Sequence, residues 1–248
     1  MVCGKWLCAE AAGDAVKPRV AIVAALPREV AGLVKGLEPE HALRVRGIFL
    51  YRLPDVVVVA AGMGSERATL AVEAALATGG VTDLLSVGLA GSCHAGLPPG
   101  SVAEATVVVD TNTGERFECS PGLSGKSPEL VLATSGEIAT VAEKARLAKA
   151  YEAVMVDMEA ATVARLARAH GLPFRAIKGI SDAHDAELGD LSKFTGRHGS
   201  FRTGAFAFYT VLRPWTWGRA VELGRNSAKA LASLDQSIKF TLAIHKIP

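Results

Sequence analysis

The chain has little of what redox, metal or membrane chemistry would require. Its 248 residues hold four cysteines, Cys3, Cys8, Cys93 and Cys119, spread without any C-x-x-C pair, so neither a zinc site nor a disulfide framework is expected. His184 and Asp185 in "SDAHD" make a poor ligand set and His94 stands alone, so no metal is implied. No G-x-G-x-x-G fingerprint marks a dinucleotide site, and no cofactor is expected. The apolar runs at 20–26 and 56–61 fall far short of the ~20 residues that span a bilayer. A net charge of +2 is too small to attract nucleic acid by bulk electrostatics. Residues 1–18 lack a sustained hydrophobic region, Glu10 interrupting their apolar patch; they are read as an ordinary extension, and the protein as cytoplasmic.

What is present is a composition that builds a core: 50% of the residues are hydrophobic, and the length suits one domain. Residues 20–26 ("VAIVAAL") read as a buried strand, with Pro27 opening a helix that places Val30, Leu33, Val34 and Leu37 on one face. Residues 56–61 form a second strand, followed by a helix that Ser65 can cap and Gly79 and Gly80 end. A third apolar run at 84–88 leads into the glycine-rich turn "LAGSCHAGLPPGS", and 102–109 is a β-branched strand. Residues 130–133 add a short strand, 138–150 an amphipathic helix, 153–156 a strand, 159–170 a helix and 174–180 a strand. Strands apolar on both faces, alternating with helices, predict an α/β fold: one domain with a mainly parallel mixed sheet flanked by helices. The expected division is an extension (1–18), a catalytic domain (19–210) and a helical tail (211–248).

In such a sheet, ligands bind beyond the carboxyl ends of the strands. Glu29, Gly62, Gly64, the turn at 88–91, Met158, Glu159, Ser181 and Asp182 all fall at those ends. Each has a plain structural reading: a carboxylate in a first helical turn is favoured by about 0.3–1 kcal/mol, and Ser181 or Asp182 can cap a helix. Their convergence on one edge is what points to a site. "VMVDMEAATVARL" poses a sharper question, because Asp157 and Glu159 flank Met158 where a buried strand gives way to a helix.

From about Arg19 to Phe194 the chain resembles the nucleoside phosphorylase and nucleosidase family, which includes the methylthioadenosine/S-adenosylhomocysteine nucleosidases. "VAIVAALPREVAGL", "SVGLAGSCHAGLPPGSV", "VDMEAATVARLARAHGLPF" and "KGISDAHD" carry the likeness. The resemblance implies cleavage of a purine nucleoside, with adenine as the expected base, through a cationic, oxocarbenium-like sugar. Glu159 would accept the vicinal ribose hydroxyls and Met158 would lie on the sugar's apolar face. Asp182, oriented by Ser181 and with its pKa raised by burial, would protonate the purine ring nitrogen. Glu29 would activate water. Gly62, Gly91 and Leu89 would line the substrate, and Arg28 would hold phosphate if phosphate were the nucleophile. Asp157 would instead serve a cap, an ion pair or a subunit contact. The resemblance also implies a homo-oligomer, at least a dimer.

Two departures qualify that pattern. Leu89 stands where the family turn usually carries a hydroxyl, and the segment 110–134 is short, which implies a more open pocket. Hydrolysis is slightly favoured. The first alternative is a phosphorylase, with the "RPW" tail and the open pocket resembling hopanoid-associated phosphorylases that act on a lipid-linked adenosyl group; the second is a nucleoside-binding protein without catalysis. In the tail, Arg213, Arg219, Arg225 and Lys229 accompany Trp215, Trp217, Val221, Leu223 and Leu231, so a basic amphipathic helix could touch a membrane surface, although a helix packed on its own domain is favoured.

Overall fold

The computed structural model describes residues 19–121, 129–188 and 217–244, the side chains of 217–220 and 244 excepted. The extension with Cys3 and Cys8, most of the 120–128 loop, Arg213, Trp215 and the side chains of Trp217 and Arg219 lie outside the described residues.

The strands are β1 (Arg19–Ala24), β2 (Phe49–Arg52), β3 (Val56–Ala60), β4 (Val81–Ser92), β5 (Val102–Glu104), β6 (Val107–Asp110), β7 (Arg116–Glu118), β8 (Val131–Thr134), β9 (Ala153–Asp157) and β10 (Phe174–Asp182). They form one mixed sheet in the order β2-β3-β1-β4-β9-β8-β6-β7, with β10 parallel to β4 and antiparallel to β5. The helices are α1 (His41–Arg44), α2 (Ser65–Leu76), α3 (Val141–Tyr151), α4 (Ala160–Ala169) and α5 (Trp217–Ile244).

β1 and β3 are apolar on both faces because both faces are covered, as parallel strands require. On one side lie α2 and α4, whose contact residues Ala68, Ala71, Ala75, Ala160, Ala164 and Ala167 are small enough to bring the helices close to the sheet. On the other, α5 sends Leu234 and Ile238 into a cluster with Ile22, Val30, Val34 and Val58. Its backbone crosses β10 so tightly that a Cβ on Gly179 would lie 2.9 Å from the Ala230 carbonyl oxygen. α3 covers the remaining strands through Leu147.

Several sequence expectations are corrected. Pro27 opens only a 3-10 turn, Pro27–Glu29, and the chain continues in turns to Gly36. Val30 and Val34 are buried as the spacing implied, but Leu37 is exposed and the regular helical turn ends at Glu29. The 102–109 segment is two strands, β5 and β6. Ser65 is the first residue of α2, with Gly64 at the cap position. The "GLAGS" stretch is not a turn: β4 runs straight through it, leaving β10 at Gly91 to pair with β9. β10 likewise extends to include Ser181 and Asp182.

Candidate active site

Beyond the carboxyl ends of β1, β4, β9 and β10 lies a cavity of about 440 Å³, lined by Glu29, Leu89, Gly91, Met158, Glu159 and Asp182 among others. Leu223 and Leu231 of α5 form part of its wall.

Glu29 ends the 3-10 turn and points back under β1. Its Oε2 accepts the backbone N–H groups of Ala25 (3.0 Å) and Leu26 (2.9 Å), and its Oε1 that of Leu89 (3.1 Å). Burial pushes its pKa above the ordinary value, while those backbone donors, Lys178 and Arg28 pull in the other direction. Gly88 makes the approach possible: it sits at φ +143°, and a Cβ there would lie 3.0 Å from Oε2 and 3.1 Å from Oε1. Leu89 therefore contributes a backbone donor at a position where its side chain offers no hydroxyl.

The junction of β9 and α4 resolves the two-carboxylate question. Asp157 accepts the Thr134 hydroxyl on Oδ1 at 2.7 Å and the Ala160 N–H on Oδ2 at 3.0 Å, so it caps α4. Lys178, on β10, lies 2.9 Å from the same Oδ2 and 3.0 Å from the Ser86 hydroxyl, with only 1% of its side chain exposed. Since Asp157 satisfies the helix, Glu159 at the cap position makes no capping bond with its own side chain. It accepts instead from the N–H of Gly64, the cap residue of α2, at 2.8 Å. Burial and the neighbouring Asp157 charge push Glu159 up to about 8. Burial works against the Lys178 ammonium, but Asp157, Glu159 and Glu29 outweigh it and raise its pKa. One ammonium thus faces three acidic side chains, and burial holds two of them, Glu29 and Glu159, toward their protonated forms.

At the far end of β10, the Ser181 hydroxyl donates to Asp182 Oδ1 at 2.5 Å and lies 3.2 Å from the Ala90 carbonyl oxygen. Oδ2 pairs with Lys144 of α3, which also donates to the Ala183 carbonyl at 2.7 Å. Gly91 is the floor beneath them: a Cβ there would sit 2.9 Å from Asp182 Oδ2 and 3.2 Å from Lys144 Cε.

The cavity brings together Glu29, Met158, Glu159, Ser181, Asp182, Leu89 and Gly91, with exposed Arg28 also on its lining. Gly62 is not on the lining; its N–H bonds the Ala25 carbonyl at 2.8 Å, and Met63 faces the space instead. Sequence reasoning missed Lys178 and Lys144. A lysine within the apolar strand "AIKGI" was a legible signal for the first; nothing marked the second, which sits in a helix rich in lysine and glutamate. Among the described residues, no group of His, Cys, Asp and Glu could hold a metal ion.

The chain belongs to the Phosphorylase superfamily, whose family model matches residues 19–130 and 129–208. It is similar to the 5'-methylthioadenosine/S-adenosylhomocysteine nucleosidase of Buchnera aphidicola, 28% identical over 209 residues that cover 71% of this chain and 82% of that one. The apo 5'-methylthioadenosine nucleosidase of Arabidopsis thaliana shares the fold with a TM-score of 0.72 at 18% identity, covering 94% of this chain and 97% of that one. The Helicobacter pylori 5'-methylthioadenosine/S-adenosylhomocysteine nucleosidase with butyl-thio-DADMe-Immucillin-A has a TM-score of 0.67 at 16% identity, covering 92% and 99%.

Proposed function

We propose that the chain hydrolyses the N-glycosidic bond of a purine nucleoside of the methylthioadenosine type. The observation that carries this reading is Glu29, buried on the cavity floor beside Glu159, with the nearby Lys178 already paired to Asp157. Two acidic side chains there, with the nearby ammonium already paired, favour a neutral water nucleophile and offer no free cation to a phosphate dianion. Similarity to the Buchnera nucleosidase supports the same substrate class.

In this mechanism Glu159 accepts the ribose hydroxyls and Met158 packs on the sugar. Asp182 passes a proton to the base as the C–N bond breaks, and Glu29 takes the proton of the water that adds to the sugar carbon. Exposed Arg28 on the lining is what favours the second reading, phosphorolysis.

We assign the enzyme to the cytoplasm, as a homo-oligomer. Among the described residues no helix is long and apolar enough to cross a membrane. α5 spends Ala230, Leu234 and Ile238 on its own domain, which supports the packed-helix reading of the tail over a membrane contact.

A time course with methylthioadenosine, S-adenosylhomocysteine, adenosine and inosine, with and without phosphate, tests the proposal by chromatography of free base and sugar 1-phosphate. Adenine release that does not depend on phosphate, and is lost in Glu29→Gln, is expected. Sugar 1-phosphate as the product would replace this reading with phosphorolysis.

A further inference from the structure

Asp182 has two oxygens and both are occupied as acceptors, Oδ1 by the Ser181 hydroxyl and Oδ2 by Lys144. A carboxylate that accepts on both sides has no proton of its own directed at a ligand. The nearest stored proton is on Lys144 Nζ. That side chain is only 1% exposed and its partner 5%, yet both lie on the cavity lining, so the pair is dry but within reach of a bound base. Such an arrangement needs explaining, because two buried charges gain little stability over an apolar pair of the same volume. Of the other titratable groups on this side, burial pushes the Cys93 thiol up to about 12, Glu143 faces outward to Arg146 at 2.7 and 2.8 Å, and Glu137, also on the lining, is exposed and makes no contact with the pair. α3 holds Lys144 in place through the Thr140 cap on Glu143 N at 3.2 Å and the bond to the Ala183 carbonyl.

We propose that Lys144 stores the proton taken by the departing purine, and that Asp182 relays it. This rests on the reading of the site as a purine nucleosidase. As the C–N bond breaks, its electron pair goes to the base. A proton moves from Nζ to Oδ2 while the carboxyl passes one to the ring nitrogen. The base leaves neutral, the sugar becomes a cation, Asp182 remains a carboxylate and Lys144 becomes a neutral amine. Water then adds to the sugar and gives a proton to Glu29; once product has left, Glu29 releases that proton to solvent and solvent returns one to Lys144. Lys144 is thus a positioning and proton-supplying residue that acts through Asp182.

The test compares wild type, Lys144→Met and Lys144→Arg, all confirmed as folded by thermal melting. Two readouts are taken: kcat for adenine release from methylthioadenosine, and Kd for its 7-deaza analogue, in which carbon replaces the ring nitrogen and no protonation can occur. Lys144→Met is expected to lose kcat by about 100-fold or more, as befits loss of a general acid, with Kd within about threefold of wild type. Lys144→Arg keeps the charge and the donors but holds its proton too tightly to release it, so kcat should still fall by about tenfold or more. The proposal is overturned if Lys144→Met turns over like wild type, if Kd weakens in step with kcat, or if Lys144→Arg matches wild type. Should Lys144→Met not fold, Lys144→Gln takes its place. Wild-type protein that releases no base would instead overturn the underlying nucleosidase reading.

Discussion

Replacing Asp157 with asparagine probes the charge arrangement beneath the cavity. The wild-type side chain accepts Thr134 Oγ1 at 2.7 Å on one oxygen, and Ala160 N at 3.0 Å and Lys178 Nζ at 2.9 Å on the other. An amide nitrogen in either orientation therefore meets a donor. The cheaper orientation keeps oxygen toward Lys178 and turns NH₂ toward the Thr134 hydroxyl, which already accepts from Ala161 N at 2.9 Å. That loses one hydrogen bond, about 1 kcal/mol. Loss of the charge leaves Lys178 buried without its contact partner, a change that costs about 3–5 kcal/mol when no other counter-charge is near. Glu159 is near, and its ionisation offsets part of the cost, so the expected total is about 3 kcal/mol at neutral pH. For a chain of this size that lowers Tm by roughly 6–12 °C. Thermal and urea denaturation measure it, with Thr134→Val as the control for the hydrogen bond alone. A loss below about 1 kcal/mol would refute the view of Lys178 as a charged group held by Asp157.

Three further expectations follow from the same geometry. Glu159, raised from 4.5 to about 8, keeps a proton in the folded state that the unfolded chain has released, so its contribution to stability is greatest at low pH, declines as pH rises from 4.5 to about 8 and is flat above. Solvent in the cavity reduces the full linkage to about 2 kcal/mol; urea midpoints between about pH 5 and 9 should show this slope in wild type and a flatter one in Glu159→Gln, and an unchanged slope would assign it elsewhere. Gly88→Ala should cost about 1–3 kcal/mol from its positive φ and lower base release by displacing Glu29; a variant as stable and active as wild type would contradict the close approach. Gly179→Ala should cost about 1–3 kcal/mol by lifting α5 off β10, seen as faster amide exchange in α5 than in β1; protection left unchanged would mean the helix adjusts without cost.

Legibility in the sequence followed the length scale of the interactions. β1 and β3 could be read because continuous β-branched and apolar runs reflect burial on two faces, a local property. Short β2 and β7 could not, since four- and three-residue strands with one exposed edge leave no periodic signal. After Pro27 the spacing of Val30 and Val34 reported burial correctly, while the backbone does not follow a helix there and the residues that cover the two valines, Leu234 and Ile238, come from distant α5. Residues at strand ends were collected into one cavity because strand ends share an edge, whichever local elements surround them. What no local pattern could supply was the pairing of charges: Lys144 reads as a solvated helix residue until α3 is docked against β8 and β9, and only then is it buried against Asp182.

The last helix sets the cavity wall apart from the cavity floor. Every side chain assigned to proton handling or sugar contact lies at or before Asp182, whereas Leu223 and Leu231 come from α5, beyond residue 217. The floor depends on strand register and cannot drift without unfolding the sheet. The α5 face is anchored separately, by Ala230, Leu234 and Ile238. Substitutions at Leu223, Ser227 or Leu231 can reshape that wall while the anchors and the sheet stay as they are. Selectivity among nucleosides is therefore free to diverge by changes on one helix, while the reaction itself is inherited intact with the sheet.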